Sequence, residues 1–129
     1  VIESVRPWRL VGAWVVVILL ATTIPFPAGI IESGPLPLDK FVHFGLYAVL
    51  GWTVHRAVRA GGGRGAGSIL IAWMLGLAFG ALDELHQRLV PGRDPSSLDW
   101  VADAAGYTAA ILASSVLAKL RSEREEERA

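Results

Sequence analysis

Four long apolar stretches, each bounded by prolines, glycines or charges, restrict this chain to very few folds. They cover residues 8–24, 41–58, 68–89 and 100–117, about 17 to 22 residues each, which is close to what an α-helix needs to cross a hydrocarbon core of about 30 Å. The first stops at Pro25-Phe26-Pro27, where neither proline can continue a helix. The second gives way to Gly61-Gly62-Gly63-Arg64-Gly65, and the third ends just before Pro91-Gly92. With 53% hydrophobic residues and a mean hydropathy of +0.46, the chain holds more apolar surface than a small water-facing fold can hide. The expected fold is therefore an all-α membrane protein, one domain over residues 1–129, built as a bundle of four transmembrane helices with the lipid bilayer as its first partner. A charged tail over 119–129 is expected to carry the last helix into water. The linker 25–38, with four prolines and two glycines, is expected to be an irregular interfacial segment. The first stretch is long for a signal peptide and is read as a retained helix.

Charge placement orients the bundle. Arg6, Arg9, Arg56, Arg59, Arg64, Lys119, Arg121, Arg124 and Arg128 fall on one side, against Lys40, Arg88 and Arg93 on the other. This asymmetry in short loops predicts that both termini are cytoplasmic. The formal net charge is zero, so no basic field argues for nucleic acid, and the absence of cysteine excludes disulfides and thiolate metal sites. Trp8, Trp52, Trp73 and Trp100 fall near helix ends, where indoles anchor at headgroup level or pack in a core.

With that topology, polar residues gather at the outer end. Asp39, Lys40 and His43 open the second helix, Asp83, Glu84, His86, Gln87 and Arg88 close the third, and Asp99 and Asp103 open the fourth. Ionisable groups at a membrane are costly unless they pair or line a wet cavity. Asp39, His43, Tyr47 and Gly51 recur every four residues and form one stripe, as do Gly76, Gly80 and Glu84. Asp103, Gly106, Ala110 and Ala113 share a face rich in small residues, the kind that lets helix backbones approach. The expected result is an outward-opening pocket between the second, third and fourth helices.

The blocks Asp39-Lys40-x-x-His43-x-x-x-Tyr47, Glu84-x-x-Gln87-x-x-x-Pro91-Gly92-Arg93 and Asp99-x-x-x-Asp103-x-x-Gly106 resemble the VanZ-like family of small bacterial membrane proteins. The likeness runs from about residue 25 to 113, with Asp103 standing where the family pattern has an asparagine. It implies a multi-pass protein of the bacterial inner membrane. The family takes its name from a protein associated with low-level resistance to the glycopeptide teicoplanin.

Each block also has a plainer reading. Asp39 and Lys40 suit an N-cap and an interfacial anchor, and His43 with Tyr47 suits a buried structural hydrogen bond. Glu84 and Gln87 suit polar glue between helices. Arg93 is expected to fold back on Glu84 or Asp99, or to stay free for an anion. Asp83 and Arg88 are expected at the interface, His86 turned away from the Glu84 face, and His55 solvated at the cytoplasmic end.

Three function classes follow. In the first, the pocket binds or processes an anionic cell-envelope molecule such as a lipid-linked phosphate or peptidoglycan precursor. Lys40 and Arg93 would supply charge, Asp39, Tyr47, Gln87 and Asp99 would line the site, and His43, Glu84 and Asp103 would be the catalytic candidates. In the second, the chain is a non-catalytic accessory subunit of a larger membrane complex. The third, ranked last, is metal or cofactor binding through His43, Glu84 and Asp103, for which no tight motif exists and no cofactor can be named.

Overall fold

The computed structural model describes residues 2–24, 38–93 and 96–128, and within them the chain is helical. Four helices follow in order: α1 over Ile2–Thr23, α2 over Leu38–Ala60, α3 over Ala66–Gln87 and α4 over Ser97–Glu126. The linker expected to be interfacial lies outside the described residues. α1 starts earlier than expected and takes Pro7 inside it, while α4 runs into the charged tail as expected.

By length and composition, α1, α3 and α4 can each cross a membrane, and α2 falls short. By this measure the expectation of four spans is met for three of the four helices. α2 carries Lys40, His43, His55, Arg56 and Arg59, which lower its hydropathy, and it is enclosed by its neighbours along the face from His43 to Ala57. The outward faces of the other three remain apolar: Leu20, Ile71, Leu75, Leu82, Leu112 and Val116 are all exposed. In water such a surface would be prohibitive, whereas in lipid it is ordinary.

Because lipid tails are as apolar as leucine, helices in a membrane are held by close packing and hydrogen bonds. The α2–α4 pair is the most extensive contact in the bundle. Glycines make it possible on both sides. A Cβ at Gly106 would run into the backbone carbonyl of Phe44, and one at Gly51 would strike the carbonyl of Tyr107. On α3, a side chain at Gly76 would overlap the ring of Tyr107, whose hydroxyl donates to the Ala72 carbonyl at 2.8 Å. The buried line on α4 is Asp103, Gly106, Tyr107, Ile111 and Ser114, so Ala113, expected on that face, has rotated outward.

Tryptophans tie the remaining helices down. Trp14 Nε1 donates to the Leu46 carbonyl at 2.8 Å and holds α1 to α2, and Trp73 Nε1 donates to Thr108 Oγ1 at 2.9 Å and holds α3 to α4. Trp100 Nε1 donates to the Leu77 carbonyl at 3.3 Å. The α2–α3 turn is closed by Gly62 at φ 89°, a left-handed conformation that suits glycine, with Gly63 N–H reaching back to the Val58 carbonyl at 2.9 Å.

Candidate functional site

Three helix ends and the last turn of α1 meet at the pole where α2 and α4 begin. α4 is started there by a capping box: Ser96 Oγ accepts from Leu98 N–H at 3.1 Å, and Asp99 Oδ2 accepts from Ser96 N–H at 3.2 Å. The other oxygen of Asp99 takes the ammonium of Lys40, which also donates to Asp39 at 2.7 Å. Lys40 thus joins the first turns of α2 and α4. Its ammonium, hydrogen-bonded to Asp39, holds that carboxyl below the usual carboxylate range.

One turn deeper, His43 Nδ1 and Asp103 Oδ1 are 2.9 Å apart, and both residues are buried. A second network centres on Asp83, only 2% exposed. Its Oδ1 accepts from Thr22 Oγ1 at 2.9 Å, and its Oδ2 accepts from the Tyr47 hydroxyl and from Gln87 Nε2, each at 3.2 Å. Glu84 follows Asp83 on α3 and is buried at the same pole. It is 5% exposed, yet among the described residues neither of its oxygens has a hydrogen-bond partner, and Asp103 Oδ2 is likewise unpartnered there.

The expected cluster is therefore assembled in part as read from helical spacing, with His43, Tyr47, Glu84, Gln87, Asp99 and Asp103 all buried at one pole and Lys40 at its rim. Asp83 is a correction. Expected at the interface, it is instead the acceptor on which Thr22 of α1, Tyr47 of α2 and Gln87 of its own helix converge. Thr22 was missed, and its only sequence signal is a hydroxyl in the last turn of an apolar helix. Arg93 is a second correction: it pairs with neither Glu84 nor Asp99. Its guanidinium donates to the carbonyls of Ala21 at 2.7 Å and Ile24 at 3.2 Å, where the end of α1 leaves acceptors without intrahelical partners. His55 is a third. It is 3% exposed rather than solvated, with Nε2 at 3.1 Å from Ser115 Oγ. His86 and Arg88 are exposed, as expected.

Chemically, the pole offers an imidazole bonded to one carboxylate with a second, unbonded carboxylate beside it, the components of acid–base chemistry or of a site for hydrogen-bond donors. Among the described residues no three histidines or carboxylates stand close enough together to hold a metal ion, so the geometry gives the metal reading no support. A cavity of about 650 Å³ opens in the other half of the bundle between α1, α2 and α3, but no charged side chain lines it. No family model, no curated protein and no solved structure matches the chain.

Proposed function

We propose that this chain is a VanZ-like protein of the bacterial inner membrane whose four helices all span it, with both termini cytoplasmic and the polar pole facing outward. There it binds or processes an anionic cell-envelope molecule of the lipid-linked phosphate or peptidoglycan-precursor type. The observation that carries this reading is the carboxylate of Glu84, unpartnered among the described residues and buried at the same pole as the His43–Asp103 pair. A buried polar group without a partner costs free energy, and sites that keep one commonly hold it for a ligand. Carboxylates accept hydrogen bonds, so the ligand would bring hydroxyl, amide or ammonium donors to Glu84 and Asp103, with its anionic part at Lys40 on the rim. Envelope precursors joining a sugar or peptide to a diphosphate carry both kinds of group. Arg93, engaged by α1, is not needed for this role.

The direct test is binding of an isoprenyl diphosphate, bare and with its sugar–peptide headgroup, to the purified chain in nanodiscs. The headgroup form should bind more tightly, and Glu84→Gln should weaken it about tenfold at unchanged melting temperature. Absence of binding, or equal binding by the variant, would overturn the reading. Orientation is checked separately: with no native cysteine, single cysteines at Glu126 and Ser97 should label from the inside and the outside respectively.

The accessory-subunit reading is favoured by a different observation. Asp83 ties α3 to α1 and α2, Lys40 and Asp99 tie α2 to α4, and Arg93, in the turn after α3, holds the end of α1, which leaves little for a ligand. Purification in mild detergent with a stoichiometric partner would support it.

A further inference from the structure

At the opposite pole, α2 and α4 build a polar cavity that the proposed function does not use. On α2, Trp52, His55, Arg56 and Arg59 fall at the spacing i, i+3, i+4 and i+7, and on α4 Ser114, Leu117, Ala118 and Arg121 repeat the same spacing. That interval defines one helix face. The two faces oppose each other around a cavity of about 280 Å³. Three guanidinium-bearing residues line it and no acidic one does. Among the described residues, none of Arg56, Arg59 and Arg121 has a carboxylate within 4.0 Å, although the nearby Lys119 is paired with Glu123 at 3.7 Å. His55, buried and bonded to Ser115, forms part of the wall, and Ser114 lies beside it.

A cluster of arginines converging on a cavity without counter-charge has an obvious complement. Arginine presents a planar fork that grips phosphate through two parallel hydrogen bonds, and basic pockets between membrane helices on the cytoplasmic side suit anionic headgroups. Leu117 supplies an apolar wall of the kind an ester-linked chain would follow. We propose that this cavity is a phosphate-binding site, taking the phosphodiester headgroup of an anionic phospholipid or a soluble phosphate. The site is independent of the ligand proposed at the other pole, since no residue is shared.

Native mass spectrometry on the detergent-purified full chain, loaded with phosphatidylglycerol or phosphatidylcholine, reads the lipid source. Melting temperature with and without millimolar inorganic phosphate reads the soluble one. The wild type should retain phosphatidylglycerol over phosphatidylcholine, or be stabilised by phosphate, and the arm that responds names the source. Arg121→Lys is the decisive variant, because it keeps the charge, removes the fork and alters an exposed side chain that the fold does not need. Retention, or the phosphate shift, should fall about fivefold or more in Arg121→Lys and stay at the wild-type value in Arg124→Lys, whose side chain lies outside the cavity. Equal retention by Arg121→Lys, an equal loss in Arg124→Lys, or no response of the wild type in either arm would overturn the site.

Discussion

His43 Nδ1 and Asp103 Oδ1 are bonded at 2.9 Å across the α2–α4 contact, while the second oxygen of the same carboxylate meets no donor. Each residue therefore depends unequally on the other. His43→Ala would leave Asp103 buried with both oxygens unpaired and is expected to cost about 1–3 kcal/mol. Asp103→Asn keeps an acceptor for the imidazole and should cost clearly less. Thermal melts of the two variants in one detergent check the order, and a larger loss in Asp103→Asn would mean that the imidazole needs a full negative charge.

Glu84 and Arg93 differ as probes because only one of them holds the bundle together. Glu84 has no hydrogen bond to lose among the described residues, so Glu84→Gln should stay within about 1 kcal/mol of wild type while impairing any ligand-dependent function. Arg93→Ala releases the Ala21 and Ile24 carbonyls and should destabilise by about 1–3 kcal/mol, with Arg93→Lys recovering part of the loss. Limited proteolysis at the end of α1 distinguishes the two cases, because only the Arg93 variants should cleave faster there.

Asp83 is expected to be the most costly polar substitution at this pole. Asp83→Ala strips the acceptor from Thr22, Tyr47 and Gln87 at once, and at about 0.6–1.7 kcal/mol for each of the two interhelical bonds the loss should reach about 1–3 kcal/mol. Thr22→Val removes one of the three donors and should cost about a third as much, as denaturation of the purified variants would show.

Gly106 has no room for any side chain. Gly106→Leu should force α2 and α4 apart, lowering expression and breaking the His43–Asp103 and Lys40–Asp99 pairs together. Gly45, where a Cβ meets nothing, is the matched control: Gly45→Ala should be neutral or slightly stabilising, through helix propensity.

Helix number and order were readable from the sequence because apolar runs and helix breakers are local signals. The four-residue stripes on α2 and α3 also located His43, Tyr47 and Glu84 on buried faces. Spacing ranks residues within one helix but does not tell how each helix is rotated against a partner. For Asp83, beside Glu84 in sequence, spacing points to the interface, whereas Thr22 of α1 covers it. The reach of Arg93 to Ala21, 72 residues away, had no sequence signal at all. His55 was misjudged for the same reason, since its cover, Ser115, comes from α4.

The pairing of α2 chiefly with α4 fixes when the protein can become whole during synthesis. α2 leaves the ribosome well before its partner, and Gly51 and His43 then have no Tyr107 or Asp103 to rest on. α3 covers only part of that face, since its Gly80 meets Tyr47 of α2 while its Gly76 is shaped around the Tyr107 ring. A nascent chain stalled before α4 would expose an unpaired histidine and an uncovered glycine stripe, the features that quality-control proteases and insertases meet in orphaned helices. The most extensive contact of the bundle is therefore made late, only once α4 has been synthesised.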